Sequence, residues 1–450
     1  MKAYNKWNYK PLVESMEKPY ICRIAPYEKG AIIQYIPLNE ESGITVFYKK
    51  REGAKWHSIK MTSNPFNLTG LEERYEYEIY LEDDNGNKGT KRLFMTGFYP
   101  GKVINYLNFQ DKQYIFSGRC VGSPSIVRLP SGALLAAHDI FCGGRGGTPE
   151  NFTMVFRSDD DGENWTMIAE LLPSFWPRLF VHKDKVYIIA CSRTYGDVLV
   201  GCSEDEGKTW STPTVLGRGC CMSGDYMGFS NIGFHKGSCQ MLKYNGRIWF
   251  AMEYGSWGAG FRNTLLSVDE NAELLDADNW TFTSVAPAVK DVDGVEKGVP
   301  GSIEGVPLVS EDGKYIYDIA RYSNGKAMVL RVPADEPEGE LQFYKFINLP
   351  VGHSKFELYR EDDGWVYALG NKLPLRNVVS VYRSKNLEDW EFVQDVANYE
   401  AYDKTKVALQ YPCGLIEGKK LYMVSRTAFN GAQDFHDSNC MTFHKSELNI

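Results

Sequence analysis

Ser158-Asp-Asp-Asp-Gly-Glu-Asn-Trp165 recurs further along the chain as Ser203-Glu-Asp-Glu-Gly-Lys-Thr-Trp210. An apolar, strand-like run precedes each copy. In such a turn the aspartate accepts hydrogen bonds from backbone N–H groups, the glycine adopts a conformation that other residues avoid, and the tryptophan packs beneath. Each copy therefore predicts a β-hairpin turn with a buried tryptophan anchor. A degenerate copy is Ser384-Lys-Asn-Leu-Glu-Asp-Trp390, and a further remnant ends at Trp280.

A second pattern accompanies the first: an apolar run, a Gly or Asp turn, and a second apolar run. Its six copies begin at Ser125, Arg178, Gln240, Val306, Lys355 and Tyr411. Further strand-like sequence follows each copy, so the repeat has four strands and returns every roughly 40–60 residues. Six such units predict a six-bladed β-propeller. The last unit lacks one strand, which we expect either Val103–Phe109 or Tyr114–Ser117 to supply by closing the ring.

Composition agrees with a fold of many short strands. Aromatic residues make up 14% of the 450 residues and glycine occurs 42 times, which favours strands and tight turns over long helices. Hydrophobic residues at 43% and charged residues at 24% are typical of globular proteins. The net charge of −8 argues against a nucleic-acid partner, which requires a basic face. No run approaches the ~18 apolar residues of a membrane-spanning helix, so we expect no membrane partner.

Targeting and metal-binding signals are not evident in the sequence. The N-terminal stretch lacks the apolar core of a signal peptide, and the ten cysteines have neither disulfide nor metal-site spacing. We therefore expect a cytoplasmic protein with no metal and no cofactor, although a secreted chain without its leader would look the same. The oligomeric state stays open.

Residues 1–102 differ in character from the repeats and predict a small β-sandwich ahead of a propeller formed by residues 103–450. Alternating strand-like runs are separated here by polar turns. The stretch Leu71-Glu-Glu-Arg-Tyr-Glu-Tyr77 resembles the tyrosine corner of fibronectin type III domains. This resemblance implies about seven strands and a Tyr77 hydroxyl that ties a strand to the preceding turn.

The repeated turn motif on a six-bladed propeller resembles the Asp-box, or BNR repeat, of the sialidase (neuraminidase) superfamily of exo-glycosidases. The resemblance covers roughly residues 115–450. It implies a sialidase-like fold with a glycan-binding site. Asp-boxes also occur in propellers that are not enzymes, so the individual site positions have to be considered one by one.

The resemblance implies that Tyr411 is a nucleophile and Glu304 its activator. The stretch Gln-Tyr-Pro-Cys-Gly-Leu around Tyr411 is similar to the start of the family's nucleophile strand, and Ser-Ile-Glu-Gly-Val-Pro around Glu304 is similar to the position of the family's glutamate. A phenol of pKa ~10 is a poor nucleophile at neutral pH unless a carboxylate takes its proton. A neutral nucleophile also avoids repulsion from a substrate carboxylate.

The family binds its substrate carboxylate through three arginines, because bidentate guanidinium–carboxylate pairs are strong and directional. Arg321, in Ile-Ala-Arg-Tyr, and Arg376, in Leu-Arg-Asn, match the second and third of these. The first departs from the pattern, since Gly122 stands where the family has arginine. Arg119, three residues earlier, is the candidate substitute. A site with two arginines could still take a uronic or other acidic sugar, or a neutral one.

The family's acid/base catalyst is an aspartate in the loop after the second strand of the first blade, so the resemblance implies a catalyst in the corresponding loop here. Asp139 and Glu150 are both candidates there, and the glycine-rich stretch between them suits a loop that a ligand approaches closely. Three further residues are candidate substrate contacts. Trp257 can stack on a sugar, His436 lies in a polar loop expected over the pocket, and Glu253 is also a candidate second carboxylate.

These assignments predict an exo-acting glycoside hydrolase that removes a terminal, sialic acid-like or uronic acid-like sugar from a glycan with retention of configuration. One alternative is a polysaccharide lyase, in which Tyr411 with His235 or His436 abstracts the proton beside a uronate carboxylate. A second is a non-catalytic carbohydrate-binding propeller. A third is an inverting hydrolase with Glu253 in place of Tyr411.

Overall fold

The computed structural model describes residues 19–37, 42–114, 118–141, 151–219, 232–235, 239–290, 292–299, 301–323, 325–372 and 374–450. Over these residues the chain is all-β, and its helical content is one short 3₁₀ helix, Ala277–Asn279. Within the same ranges no helix has the length and apolar character needed to span a membrane.

The first seven strands form two antiparallel sheets packed face to face. Their bounds are β1 Tyr20–Tyr27, β2 Gly30–Ile36, β3 Ile44–Lys50, β4 His57–Lys60, β5 Phe66–Thr69, β6 Glu76–Asp83 and β7 Arg92–Met95. One sheet has the order β1-β2-β5 and the other β4-β3-β6-β7. In β6, the buried Tyr77, Ile79 and Leu81 alternate with partly exposed residues, as expected for a strand with one solvated face. They share a core with Ile24 and Ile33 of the opposite sheet, which makes this region a small β-sandwich.

The predicted tie between a strand and its preceding turn is present in the sandwich. The Tyr77 hydroxyl accepts a hydrogen bond from the backbone N–H of Glu72 at 2.9 Å. This bond satisfies a turn donor and fixes the entry of the chain into β6. Membership of the fibronectin type III family itself stays a prediction.

The next strand, β8 Lys102–Tyr106, leads into six antiparallel sheets, called blades 1 to 6 in chain order. Blade 1 has β9 Cys120–Arg128, β10 Leu134–Phe141, β11 Phe152–Ser158 and β12 Thr166–Leu171. Blade 2 has β13 Phe175–His182, β14 Lys185–Cys191, β15 Val198–Ser203 and β16 Thr214–Gly217. Blade 3 has β17 Gly233–His235 and β18 Leu242–Tyr244, both paired with β19 Arg247–Ser256, then β20 Gly260–Asp269 and β21 Trp280–Phe282. Blade 4 has β22 Ile303–Val309, β23 Tyr315–Ser323, β24 Lys326–Pro333 and β25 Gln342–Asn348; blade 5 has β26 Glu357–Arg360, β27 Val366–Asn371, β28 Val378–Ser384 and β29 Glu391–Asn398; blade 6 has β30 Ala408–Glu417, β31 Lys420–Ala428 and β32 Cys440–Glu447, with β8 as its fourth strand. The six-bladed β-propeller predicted from the repeat is confirmed.

Blade 6 combines strands from both ends of the propeller sequence. Strand β32 pairs with β8 in antiparallel register, with Met441 opposite Asn105. The first of the two predicted segments, Val103–Phe109, therefore supplies the missing strand. Pairing the last blade with an early strand closes the ring of blades.

The two turn motifs have the expected hydrogen bonds. In the first copy, Asp160 Oδ1 accepts the backbone N–H of Asn164 at 2.7 Å, and the indole N–H of Trp165 donates to the carbonyl of Gly162 at 3.0 Å. The second copy repeats both bonds, at 2.8 Å between Thr209 and Asp205 and at 2.9 Å between Trp210 and Gly207. Both aspartates thus serve the turn itself.

The degenerate copies retain the tryptophan anchor. The indole N–H of Trp390 donates to the carbonyl of Leu387 at 3.1 Å, and that of Trp280 donates to the carbonyl of Leu274 at 2.9 Å. A buried indole requires such an acceptor, because an unpaired N–H away from water is costly.

The core lies between neighbouring blades. Leu135 and Val155 of blade 1, for example, pack against Ile188 and Leu199 of blade 2, and all four are fully buried. Each such side chain stabilises the fold by about 1.5–3 kcal/mol. First strands of different blades contact one another, as β9 does with β13 and β30, so residues that are distant in sequence meet there.

Candidate active site

Tyr411 and Glu304 meet at the starts of two first strands. Tyr411 lies in β30 of blade 6 and Glu304 in β22 of blade 4. The phenol O–H donates to Glu304 Oε1 at 2.5 Å, although the residues are 107 positions apart in the chain. The propeller thus brings together the two residues that the sequence pairs as nucleophile and activator.

Both residues have an uncommon backbone conformation. The φ angle is 52° at Tyr411 and 59° at Glu304, in the left-handed region. Each residue also lies where the antiparallel register of its strand breaks. A bulge re-aims a side chain, and strain of this kind concentrates at functional sites. Two strained bulges that direct their side chains at each other indicate a site rather than a packing contact.

Arg321 and Arg376 lie on the same side of this pair. Arg321 Nε is 2.9 Å from Glu304 Oε2. Arg376 Nη1 donates to Gln410 Oε1 at 2.6 Å. Both guanidinium groups also donate to the carbonyl of His353, at 3.4 Å from Arg321 and 3.5 Å from Arg376. His353 therefore links the two predicted arginines, a role that the sequence did not suggest.

The local charges favour neutral forms of Tyr411 and His353. Burial raises the pKa of Tyr411 to about 12 and Glu304 contributes in the same direction, while Arg321 and Arg426 oppose the shift. Burial also lowers the pKa of His353 to about 4, with a smaller contribution from the nearby arginines. At neutral pH the phenol is protonated, so it becomes a nucleophile only as its proton passes to a base. Glu304 is in place to be that base.

Arg426 is a site residue that the sequence assignments missed. Its guanidinium carbon lies 4.3 Å from the ring centroid of Tyr411 and 5.2 Å from that of Phe141. The side chain is only 4% exposed, and its Nε and Nη2 have no hydrogen-bond partner among the described residues. A buried guanidinium with open donors beside the Tyr411 phenol is suited to an anionic ligand.

The position of Arg426 is equivalent to that of Arg321. Arg321 in β23 pairs with Ile303, directly before Glu304, and Arg426 in β31 pairs with Gln410, directly before Tyr411. Both arginines lie two residues before the end of a second strand, in Ile-Ala-Arg and Val-Ser-Arg. Aligning the repeats with one another would have revealed this equivalence.

Asp139 is a buried carboxyl near the same arginine. It is fully buried in β10, and its Oδ1 accepts the backbone N–H of Ser123 at 2.6 Å. Burial raises the pKa of Asp139 to about 7, against opposing effects of the Ser123 hydrogen bond and of Arg426. A carboxyl that holds its proton near neutral pH meets the requirement for a general acid. The other candidate, Glu150, lies outside the described residues.

Gly122 is explained by its closeness to Asp139. A Cβ atom at Gly122 would lie 2.2 Å from Asp139 Oδ2, far inside van der Waals contact. Any side chain at this position would displace the carboxyl, so an arginine is excluded there. The proposed substitute, Arg119, is exposed, and over the described part of the chain its side chain makes no hydrogen bond or ion pair. Arg426, not Arg119, supplies the third cation next to Tyr411.

Glu253 is fully buried and bonded to protein through both oxygens. Its Oε2 is 2.8 Å from His235 Nδ1, and its Oε1 accepts the backbone N–H of Gly305 at 3.0 Å. Gly305 directly follows Glu304, so Glu253 braces the bulge that carries this carboxylate. The structure brings Glu253 to the site as a support for Glu304.

Trp257 and His436 lie further from the pair. Trp257 is half-buried and packs edge-on against Phe261 at 5.1 Å between ring centroids. His436 is exposed, with its Nδ1 2.8 Å from Asp437 Oδ1 and its ring 6.0 Å from that of Phe141. His436 is thus connected to the site through two rings, Phe141 beside Arg426 and Phe435 beside Arg376. Substrate contacts by these two residues remain predictions.

The site combines a phenol–carboxylate pair, three arginines and a protonatable carboxyl. Such a set can carry out nucleophilic attack, acid catalysis and anion binding. In the part of the chain that the structure describes, no group of three or more His, Cys, Asp or Glu residues could hold a metal ion.

The fold is a six-bladed β-propeller similar to those of known glycosidases. The α-L-arabinanase of Penicillium chrysogenum complexed with arabinobiose matches with a TM-score of 0.52 and 14% identity, over 78% of this chain and 98% of that chain. The α-L-arabinofuranosidase of Fusarium graminearum, in complex with an iminosugar inhibitor, matches with a TM-score of 0.52 and 12% identity over the same shares. The Hadza microbial sialidase Hz136 is less similar, with a TM-score of 0.46 and 10% identity over 97% of this chain and 94% of that chain. No family model and no curated protein matches the sequence.

Proposed function

We propose that this protein is a glycoside hydrolase that removes a terminal acidic sugar from a glycan by a retaining mechanism. The observation that carries the proposal is the 2.5 Å hydrogen bond between Tyr411 and Glu304, held by two strained bulges. The likeness of the fold to an α-L-arabinanase and an α-L-arabinofuranosidase supports a glycan as substrate. Tyr411 is the nucleophile, Glu304 its base, and Asp139 the acid/base catalyst.

The first step forms a glycosyl-enzyme. Tyr411 Oη attacks the anomeric carbon while its proton passes to Glu304. The bond between the anomeric carbon and the leaving oxygen breaks, and Asp139 donates its proton to that oxygen. Because the pKa of Tyr411 is raised to about 12, attack and proton transfer have to be coupled.

The second step releases the sugar. Asp139, now a carboxylate, takes a proton from water as the water oxygen attacks the anomeric carbon. The bond to Tyr411 breaks, and the phenolate recovers its proton from Glu304. Two successive displacements at the same carbon give net retention of configuration.

The arginines favour a substrate that carries a carboxylate. Arg426 has open donors on Nε and Nη2 although it is buried beside Tyr411. An unpaired buried cation is costly, and a bidentate carboxylate offsets this cost. Arg376 and Arg321 provide further positive charge on the same side. The proposed sugars are therefore sialic acid-like or uronic acid-like.

Two measurements test the proposal. A panel of neuraminyl, glucuronyl, arabinosyl and rhamnosyl aryl glycosides should show release from the acidic members, and a fluorinated glycosyl fluoride of the cleaved sugar should label Tyr411 covalently. The matched variant Tyr411→Phe should not be labelled. Release from neutral sugars alone would disprove the acidic substrate, an unsaturated uronate product would indicate a lyase, and no turnover at all would favour a binding protein.

A further inference from the structure

A cavity lies between the sandwich and the propeller, and its lining shares no residue with the candidate active site. It has a volume of about 600 Å³, within the range of roughly 300–1,000 Å³ that small-molecule sites occupy. Its walls come from β1, β8 and the first turn motif, and include Arg23, Tyr27, Tyr99, Lys102, Val103 and Trp165. We call this cavity the interdomain cleft.

Arg23 is the unusual feature of the interdomain cleft. The side chain is 3% exposed, and its Nε donates to the carbonyl of Ile104 at 2.6 Å. Its Nη1 is buried without a hydrogen-bond partner among the described residues, and no carboxylate of the described chain forms an ion pair with it. Burial lowers the pKa of Arg23 to about 10, which shows how strongly its charge is desolvated.

Arg92, in the same sandwich, shows what a purely structural arginine looks like. It is also fully buried, but its Nε lies 2.6 Å from Asp111 Oδ2, and it donates to the carbonyls of Ile21 and Tyr106. A buried charge with a partner of opposite sign is the usual arrangement. Arg23 departs from it, and its missing partner is an anion.

Strand geometry places Arg23 on the floor of the interdomain cleft. After the register break between Ile21 and Arg23, side chains alternate along β1, so Arg23, Ala25 and Tyr27 lie on one face. All three line the cleft. An anion that enters the cleft therefore meets the guanidinium at its base.

We propose that the interdomain cleft binds an acidic sugar, with Arg23 as the anchor of its carboxylate. Of the other charged residues of the cleft, Lys102 is paired with Glu163 at 2.8 Å and Glu28 is exposed at the rim, so Arg23 is the buried cation that lacks a carboxylate partner among the described residues. Tyr27, which is half-buried, offers a ring on which a sugar can stack. The prediction of a bound anion follows from Arg23 alone. The choice of a sugar as the molecule that carries the carboxylate rests on the proposed function.

The test is equilibrium dialysis with labelled glucuronate. The measurement uses the full chain with Arg376→Met, a change that weakens anion binding at the candidate active site, so that binding at the cleft dominates. Adding Arg23→Met should weaken the remaining binding at least roughly tenfold, the effect of losing a charge-assisted hydrogen bond. Arg74→Met, which changes an arginine that is 83% exposed in the same sandwich, is the matched control and should have no effect.

A second variant guards against a folding defect. Tyr27→Ala removes the partly exposed ring without changing the buried charge, and should also weaken glucuronate binding. Arg23→Met without ligand should unfold at the same or a higher denaturant concentration than the parent, since it removes a buried unpaired charge.

Three outcomes would overturn the inference. The first is equal glucuronate binding with and without Arg23→Met. The second is equally tight binding of glucose, which has no carboxylate. The third is displacement of glucuronate by inorganic sulfate at the same concentration, which would make the cleft a site for a free anion. Failure of the proposed function would appear separately, as no release of sugar from any acidic aryl glycoside of the panel while glucuronate still binds at the cleft.

Discussion

The propeller contains the same three kinds of side chain twice, once in the candidate site and once in its interior. The candidate site has Tyr411, Glu304 and Arg321, with Tyr411 half-buried. The interior group consists of Tyr359, Glu357 and Arg178, with Lys355 in addition, and here too the tyrosine is half-buried and the carboxylate is buried, as Glu304 is. The two groups contain the same kinds of side chain, so we expect any difference in function to come from the surroundings.

The interior group is held together by bonds to protein. Glu357 Oε1 lies 2.6 Å from Arg178 Nη1 and 2.7 Å from Lys355 Nζ, while the Tyr359 hydroxyl bonds to Oε2. Lys355 also donates to the carbonyl of Pro412 at 2.8 Å. Burial alone would raise the pKa of Glu357, but Arg178 and Lys355 lower it to about 2. This carboxylate stays ionised at any ordinary pH and joins the first strands of several blades.

The candidate site differs in backbone strain and in open donors. Glu304 and Tyr411 lie in bulges at positive φ, whereas β26, which carries Glu357, pairs with its neighbour without a register break. Arg426 keeps donors without a partner among the described residues. A Tyr–Glu–Arg group is structural when its charges are satisfied by protein, and suited to a ligand when strain and free donors remain.

The largest difference between the two groups is expected when the tyrosine of each is replaced. Tyr411→Phe should lower kcat by more than roughly 10³-fold, because the nucleophile is lost. Tyr359→Phe, the same change in the interior group, should keep turnover but cost about 1–3 kcal/mol of stability, since Glu357 loses a buried donor. Steady-state kinetics and denaturant unfolding on both variants check the contrast.

The reverse pattern would contradict the assignment of the two groups. If Tyr359→Phe abolished turnover while Tyr411→Phe left it intact, the reactive phenol would belong to the interior. Double-variant unfolding adds a control, because the two tyrosines lie in separate groups and their stability effects should be additive within about 0.5 kcal/mol.

A smaller effect is expected at the arginines. Arg426→Met should raise KM for an acidic substrate roughly 10–100-fold, as expected for a lost charge-assisted bond, and leave the stability equal or improved. Arg178→Met, the matched change in the interior group, should instead destabilise the fold by about 3 kcal/mol, because it removes a cation from a buried carboxylate.

Substrate choice sharpens this prediction. With a neutral aryl glycoside, any residual turnover should be insensitive to Arg426→Met, because the lost interaction is with a carboxylate. A parallel rise in KM for acidic and neutral substrates would show that Arg426 acts through the position of Tyr411 and not through a bound anion.

The sequence predicted the fold well because its signals are local. The turn motifs specify hydrogen bonds within eight residues, and the repeat of strand pairs specifies the blades. The closing strand β8 was also predictable from the sequence, because the last repeat lacked one strand. Each of these inferences needed only periodicity and turn chemistry.

The site was harder to predict because it depends on contacts across the ring. The meeting of Tyr411 and Glu304 rested on a family resemblance, and no local pattern reports their 2.5 Å contact. The loss of the first arginine at Gly122 was visible, but its cause, the carboxyl of Asp139 beside it, was not. The compensating Arg426 lies in another blade, so nearness in sequence to Gly122 could not reveal it.

The smallest expected effect concerns pH and follows from Asp139. Its pKa is raised to about 7 by burial, so the general acid is protonated below that pH, and kcat/KM should fall roughly tenfold per pH unit above about 7. Asp139→Asn should remove this decline of kcat/KM above about pH 7. The activity of the variant is measurable with an aryl glycoside that has a good leaving group, because the first step of its cleavage needs no acid. The free energy of unfolding should also depend on whether the Asp139 carboxyl is protonated. The unfolded pKa is ~3.9, so the stabilisation is fully present below about pH 4 and is lost as pH rises through about 7. The apparent melting temperature of the parent should therefore decline between pH 4 and 7 more steeply than that of Asp139→Asn. An unchanged decline of kcat/KM in the variant would exclude Asp139 as the acid and leave Glu150 as the candidate.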